Sequence, residues 1–175
     1  MPGSKTNILV GSAADIAFGA SGIATVTAPT VAEVNALTRI ECDIVGGGQV
    51  TTPRTGNTVD ISSLCDTENY EVPTTIVNGR IQIPFFRYLG DGITDVAWDL
   101  FDDSANPATT QHLVICRYGF QGAGTPPIAA ADDVVDVYTV KIIVRAEDPI
   151  SKDVDQRGMV EMSVLNREPG VAVVA

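Results

Sequence analysis

One histidine, His112, is the only side chain in the sequence that ordinarily titrates close to neutral pH. A Ser–His–Asp triad needs a histidine beside an activated serine, and no GxSxG turn accompanies this one. We therefore expect His112 to be a structural or surface residue on a strand. The acid pairs Asp102–Asp103 and Asp132–Asp133 fall in polar turns, which favours solvated charge over acid–base chemistry. The sequence predicts no catalytic residue and no enzyme.

Two segments match ligand-binding motifs only in part. Asp153, Asp155 and Gly158 follow the start of a calcium loop, but Arg157 occupies a ligand position and no Glu closes the pattern. The glycines of GFQGAGTPP follow a predicted strand, but their order differs from that of a dinucleotide-binding loop and no helix follows them. The sequence thus predicts neither a metal ion nor a cofactor.

The chain has 175 residues, enough for one domain with a hydrophobic core, and its formal net charge is −11. Such an acidic surface is not suited to gripping phosphates, although an acidic wall would keep nucleic acid from sticking during passage. Cys42, Cys65 and Cys116 are widely spaced without a CxxC pair, so we expect reduced thiols that suit a reducing cytoplasm. No run approaches the roughly 20 apolar residues that span a bilayer, and no membrane partner is expected.

The stretch VVDVYTVKIIVRA, residues 134–146, gives the strongest strand signal. Its alternation predicts a core face formed by Tyr138, Val140, Ile142, Val144 and Ala146. It predicts a largely solvated face formed by Thr139, Lys141 and Arg145, interrupted by Ile143. This mixed outer face favours an antiparallel sheet with one covered side. A second alternating strand, residues 159–167, follows a polar connection, so the two strands predict a long hairpin.

Two short helices are predicted. Thr30 and Glu33 form a capping box at the start of TVAEVNAL. The segment TDVAWDLFDD, residues 94–103, has helical spacing, and Thr94 is placed to cap it. Its Trp98 and Phe101 predict a helix packed on a sheet.

A turn signal and three irregular segments complete the prediction. Asn78–Gly79 lies between TTIV and RIQIPFF, which predicts a tight hairpin. Residues 1–28 predict an extended arm with one or two edge strands, and residues 168–175 predict a tail that adds a strand or contacts a neighbour. The segment GGGQVTTPRTGN, residues 46–57, predicts a mobile loop or hairpin tip. It is either an interaction site or a connection that makes no functional contact. The whole chain predicts a single, mainly β domain, an antiparallel sandwich or barrel with one flanking helix.

The pattern ADIAFGASGIATVTAPTVAEVNAL, in which a glycine-rich strand leads through a proline to a short helix, resembles the major tail proteins of long-tailed, non-contractile bacteriophages. The order of the NG turn, the TDVAWDLF helix, the strand LVICRYGF and the long paired strands closing in EPG is also similar to that family. The resemblance covers most of the chain.

The resemblance implies a non-enzymatic tail tube subunit that forms hexameric rings, stacked around a channel through which DNA passes during ejection. Implied partners are further copies of the chain, other tail proteins (terminator, tape measure, baseplate or tip) and DNA in transit only. The implied location is the virion tail, assembled in the host cytoplasm. The arm, the tail and the loop are the implied contacts, and the loop residues are Gly46, Gly47, Gly48, Gln49, Val50, Thr51, Thr52, Pro53, Arg54, Thr55, Gly56 and Asn57.

Two other functions stay open at this stage. A tail terminator or capsid decoration protein with a similar β fold would form a closed ring or sit on a shell. A β-sandwich binding module for carbohydrate or protein belongs to a different class, but a glycan site usually needs exposed aromatics, and the sequence has one tryptophan and an aromatic fraction of 6%.

Overall fold

The computed structural model describes residues 8–9, 15–20, 22–45, 49–50, 54–60, 71–87, 94–102, 109–147 and 156–175. These ranges hold two short helices among β-strands, which confirms the predicted mainly β, antiparallel fold. The elements in chain order are β1 (Ile8–Leu9), β2 (Asp15–Gly19), α1 (Val31–Asn35), β3 (Thr38–Arg39), β4 (Gln49–Val50), β5 (Arg54–Asp60), β6 (Glu71–Asn78), β7 (Arg80–Phe86), α2 (Val96–Leu100), β8 (Gln111–Cys116), β9 (Val134–Glu147) and β10 (Arg157–Ala172).

Six strands form one antiparallel sheet in the order β3-β2-β8-β9-β10-β7. The predicted long hairpin is its centre, since β9 and β10 pair over most of their length. The segment after β3 returns to the opposite edge: Phe86 donates its N–H to the carbonyl oxygen of Asp43 at 2.7 Å, and Val45 donates to Pro84 at 3.1 Å. The sheet therefore curls into a half-barrel whose two edges are linked by residues 43–45.

Both faces of the sheet carry a hydrophobic cluster, so the prediction of one covered side was wrong. One cluster is built on aromatic residues such as Phe18, Phe85 and Phe101, with α2 packed against it. The other includes Val34 of α1 and Val173 near the end of the chain, which cover the opposite face. Strand β8 lies between the two clusters, and its last five residues are all buried.

The register of the central hairpin shifts by one residue at Ile143. Ile142 pairs with Met162, whereas Val144 pairs with Glu161, so Ile143 is an extra residue in β9. Such a bulge reverses the alternation of the strand beyond it, because the side-chain period of a strand is two.

The predicted faces of β9 are therefore correct up to Ile142 and wrong beyond it. Val144 is 41% exposed and Ala146 is exposed, although both were assigned to the core. Arg145 was assigned to the solvated face, but its side chain is only 14% exposed and it pairs across the sheet with the fully buried Val160.

The predicted hairpin at Asn78–Gly79 is also wrong. Only Gly79 separates β6 from β7, but β6 pairs with β5 while β7 pairs with β10. The chain thus passes from a two-stranded sheet into the six-stranded sheet at Gly79. The pairing of β6 with β5 and of β7 with β10 overrides the local turn preference of Asn-Gly, because that preference is weak compared with strand pairing.

Both predicted helices are present, and the capping box of α1 is confirmed. Glu33 accepts a 2.8 Å hydrogen bond from the Thr30 N–H and donates its own N–H to the Thr30 hydroxyl oxygen at 3.2 Å. Bonds from the backbone amides of Thr30 and Ala24 lower the pKa of Glu33. Helix α2 is capped by Asp95 instead of the predicted Thr94, since the Trp98 N–H donates to Asp95 Oδ1 at 3.2 Å.

Part of the predicted N-terminal arm belongs to the sheet. Strand β2 lies between β3 and β8, with Ile16 and Phe18 fully buried, so it is an internal strand and not an edge strand. Residues 168–172 of the predicted tail are the last part of β10 and pair with β9. The division into arm, domain and tail stays a prediction.

Candidate assembly surfaces

Strands β5 and β6 form a two-stranded ribbon. They pair from Arg54 opposite Asn78 to Asp60 opposite Glu71, and within the described residues neither strand belongs to the six-stranded sheet. Seven residues of strand correspond to about 20 Å. An isolated two-stranded hairpin is marginally stable in water, so a ribbon of this kind gains stability when it packs against another surface.

The predicted contact segment is only partly described. Residues 46–48 and 51–53 lie outside the described residues. Gln49–Val50 is β4, paired with β1, and residues 54–57 are the first half of β5. The described part of this segment is thus extended strand and not loop. Its strands were not predicted because the segment lacks hydrophobic periodicity, which backbone pairing with distant partners does not require. That these residues make assembly contacts stays a prediction.

An exposed apolar strip crosses β9, β10 and β7 on the face opposite α2. Ala146, Met159 and Pro84 lie directly opposite one another across the three strands, and Val144 is the next residue of β9 on the same face. Ala146 is exposed, and Val144 and Met159 are 41% and 37% exposed. Sequence reasoning missed this strip because it placed Val144 and Ala146 in the core. The run of three apolar residues from Ile142 to Val144, which breaks the alternation, was the available signal.

On the other face, a stacked cluster fastens α2 to the sheet. The Trp98 ring lies between the guanidinium groups of Arg87 and Arg145, whose central carbons are 3.5 Å and 3.7 Å from the ring centroid. Arg87 Nε donates to Asp95 Oδ2 at 2.6 Å, and its Nη1 pairs with Glu147. Burial lowers the pKa of Arg87, but these two carboxylates outweigh burial and raise it.

This cluster has a structural role, which is to attach α2 to the sheet. Arg145 donates to the carbonyl oxygen of Trp98, and one turn away Phe101 lies 5.0 Å from Phe18 and 5.3 Å from Phe85 between ring centroids. The predicted packing of Trp98 and Phe101 on a sheet is thus confirmed. The cations occupy both faces of the indole, which leaves no face for a ligand.

The residues that the sequence offered for chemistry lie apart from one another, or their polar atoms already have partners. His112 is 8% exposed in β8, opposite Thr139. Asp133 was expected in a solvated turn, but it is 6% exposed and its Oδ2 accepts hydrogen bonds from two backbone amides, which compensate its burial. Asp102 is partly exposed beside Arg145.

The motif-like residues and the cysteines do not form a ligand site in the described ranges. Gly158 and Arg157 belong to β10, whereas residues 103, 153 and 155 lie outside the described part. Cys116 is buried, and burial raises its pKa to about 11. Among the described residues, no three His, Cys, Asp or Glu side chains are grouped to hold a metal ion. No helix in these ranges is long and apolar enough to cross a membrane.

Comparison with known proteins identifies the family of this chain and supports its fold. A family model described as phage tail tube protein matches residues 12–175. One similar solved structure is a chain of the anti-feeding prophage baseplate, determined by cryo-electron microscopy with six-fold symmetrisation. It is 9% identical with a TM-score of 0.55, and the match covers 96% of this chain and 95% of that one, so it supports the fold alone. No curated protein sequence matches this chain. Because the family model spans nearly the whole chain, this protein belongs to the phage tail tube protein family and is a structural component of a phage tail.

Proposed function

We propose that this chain is the tube subunit of a long, non-contractile phage tail, and that six copies form each ring. Rings stack into a tube around a channel through which DNA passes during ejection. The family match over residues 12–175 is the observation that carries this proposal. The resemblance of residues 14–37 to tail proteins of non-contractile phages supports the tail type, and the six-fold baseplate that contains a similar fold supports the ring symmetry.

The ribbon supports self-assembly. Strands β5 and β6 pair only with each other among the described residues, so within this part of the chain no strand pairs with their outer edges. A neighbouring copy can cover those edges by packing or by strand addition. We propose that the ribbon, together with residues 46–53, contacts the adjacent ring.

The net charge supports passage of DNA without binding. With 22 acidic and 11 basic residues, the chain as a whole repels phosphates. DNA is therefore a partner only in transit. The other partners are the terminator, tape measure and baseplate or tip proteins, and the tube assembles in the host cytoplasm before it becomes part of the virion.

The direct test is negative-stain electron microscopy of the purified protein over a concentration series. We expect six-fold rings with a central hole that stack into tubes as concentration rises. Closed rings that never stack would instead indicate a tail terminator, and a chain that stays monomeric at every concentration would contradict the proposal.

A ribbon variant tests which element stacks the rings. Gly56 and Ile76 are paired, so residues 57–75 can be replaced by a two-residue Asn-Gly turn that removes no residue of the six-stranded sheet. We expect cooperative thermal unfolding and rings to persist while tubes are lost. Tubes of unchanged length in this variant would contradict the role of the ribbon.

A further inference from the structure

The loop between β8 and β9 forms another surface, which is exposed, uncharged and held in a fixed shape. The segment from Tyr118 to Ala131, called here the uncharged loop, contains no Asp, Glu, Lys or Arg in a chain of net charge −11. Tyr118 is 83% exposed and Ile128 is 45% exposed. Copies of an acidic chain repel each other, so contacts between them are least opposed where the surface is uncharged.

Two carboxylates, the partly buried Asp15 and the buried Asp133, fix the two ends of the uncharged loop. The Phe120 N–H donates to Asp15 Oδ2 at 2.7 Å. Asp133 Oδ2 accepts from the Gln121 N–H at 3.2 Å and from the Ala130 N–H at 2.8 Å. Phe120 itself is 4% exposed and belongs to a core cluster. The ends of the loop are therefore anchored in the domain.

The segment next to the exposed Ile128 is held as well. Asn35 of α1 accepts from the Ala129 N–H at 2.9 Å and donates to the Ala129 carbonyl oxygen at 3.2 Å. Within the loop, the Gly122 N–H donates to the carbonyl oxygen of Ile128 at 2.8 Å. A surface held this way loses little conformational entropy when it binds, which favours a role in recognition.

The uncharged loop and the apolar strip lie at opposite ends of β9. The loop joins the end of β8, where Cys116 pairs with Val135, to the start of β9. The strip lies at Ala146 and Met159, eleven residues further along β9, or about 35 Å at the usual rise of a strand. A contact between the two surfaces must therefore join two copies head to tail, a type of contact that generates closed rings or open filaments.

We propose that the uncharged loop of one copy docks on the apolar strip of the next copy, with Tyr118 and Ile128 packing against Val144, Ala146 and Met159. This inference rests on the proposed tube function and specifies one of its contacts between copies. It accounts for the uncharged loop and the apolar strip at once, since both expose apolar side chains in the described part of the chain and each covers the other in the assembly.

Photo-cross-linking tests the contact directly. Tyr118 is replaced by benzoylphenylalanine, which keeps an aromatic ring, and the assembled protein is irradiated and mapped by mass spectrometry. We expect cross-links between copies to peptides that contain Val144, Ala146 or Met159. Cross-links confined to other parts of the partner copy would overturn the proposal.

Assembly measurements test the energy of the contact. We expect Tyr118→Ala to raise the concentration needed for assembly by about tenfold or more, as for an exposed aromatic anchor in an interface. Leu165→Ser is the matched control, because Leu165 is 50% exposed but lies outside both surfaces, and it should change assembly little. An equal effect of both substitutions would overturn the proposal.

A third variant separates the shape of the loop from its chemistry. Asn35→Ala removes both bonds to Ala129 but keeps Tyr118 and Ile128, and we expect weaker assembly with the fold retained by circular dichroism. Wild-type protein that forms no rings would contradict the proposed function itself. Wild-type rings or tubes together with unaffected Tyr118 and Asn35 variants would overturn only the docking contact.

Discussion

The guanidinium carbon of Arg145 lies 3.7 Å from the centroid of the Trp98 ring, so a charged residue of the central strand stacks on the aromatic residue of α2. The bulge at Ile143 makes this contact possible, because it turns Arg145 from the face that Lys141 occupies to the face that α2 covers. A single inserted residue in β9 thus brings Arg145 to α2 and turns Val144 and Ala146 to the exposed strip on the opposite face.

Matched truncations on β9 test this assignment of faces. Arg145→Ala removes the stacking on Trp98 and the bond to its carbonyl oxygen, so we expect the free energy of unfolding to fall by about 1–2 kcal/mol. Lys141→Ala, on the other face, should change it by less than about 0.5 kcal/mol. Urea unfolding followed by circular dichroism measures both. Equal effects would show that the two residues share one environment.

Truncation of Trp98 should have a larger effect. Trp98→Ala removes the ring between two guanidinium groups and leaves Arg87, whose side chain is 7% exposed, without its stacking partner. We expect a loss of about 3 kcal/mol in the free energy of unfolding, the low end of the range for an aromatic residue in a core, because Trp98 is partly buried against the core cluster. Trp98→Phe, which keeps a ring, should recover part of it. A loss below about 0.5 kcal/mol would mean that α2 is held by other contacts.

Local chemistry made part of this structure predictable from sequence. The capping box of Thr30 and Glu33 depends only on residues three positions apart, and it forms as expected. The long hairpin of β9 and β10 follows from side-chain alternation, which reports one buried face wherever the register is regular.

The failures share a different cause, which is pairing between distant segments. Asn78–Gly79 has the residues of a tight turn, but the strand before it pairs with β5 and the strand after it pairs with β10. The second covered face arises because α1, the end of the chain and Phe120 meet over β8, and no local pattern encodes that meeting. The apolar strip was missed although the apolar run from Ile142 to Val144 signalled an irregularity, because such a run does not tell which residue of β9 is left out of the pairing with β10.

Close packing between β10 and β7 gives another prediction. A Cβ on Gly158 would lie 2.6 Å from Cζ of Phe85, which is fully buried and cannot move freely. We expect Gly158→Ala to lower the free energy of unfolding by about 1–3 kcal/mol, as overpacking usually does. Gly22→Ala is the control, because no atom lies within 4 Å of its added Cβ. Similar unfolding curves for both variants would contradict the packing.

The two described cysteines should differ in reactivity. Cys116 is buried and burial raises its pKa to about 11, so few thiolates form at pH 8. Cys42 is exposed. We expect a thiol reagent to label Cys42 rapidly in the folded protein and Cys116 only after denaturation, as measured by peptide mass spectrometry. Equal labelling rates in the folded state would contradict the burial of Cys116.

The carboxylate of Asp43 should destabilise the fold at neutral pH. Burial and repulsion from Asp95 and Glu41 raise its pKa above the ordinary 3.8. The folded state therefore holds the Asp43 proton more tightly than the unfolded state does. The charge costs stability above the folded pKa, and this cost disappears as pH falls below about 3.8.

Asp43→Asn removes this cost, so we expect a higher unfolding midpoint than in the wild type at pH 7 and no advantage at pH 3. Asp132→Asn removes the same single negative charge at an exposed position and measures the effect of charge alone. Thermal unfolding by circular dichroism across this pH range gives the comparison. If both variants gained equally at pH 7, or if the gain of Asp43→Asn persisted at pH 3, repulsion among Asp43, Asp95 and Glu41 would not be its source.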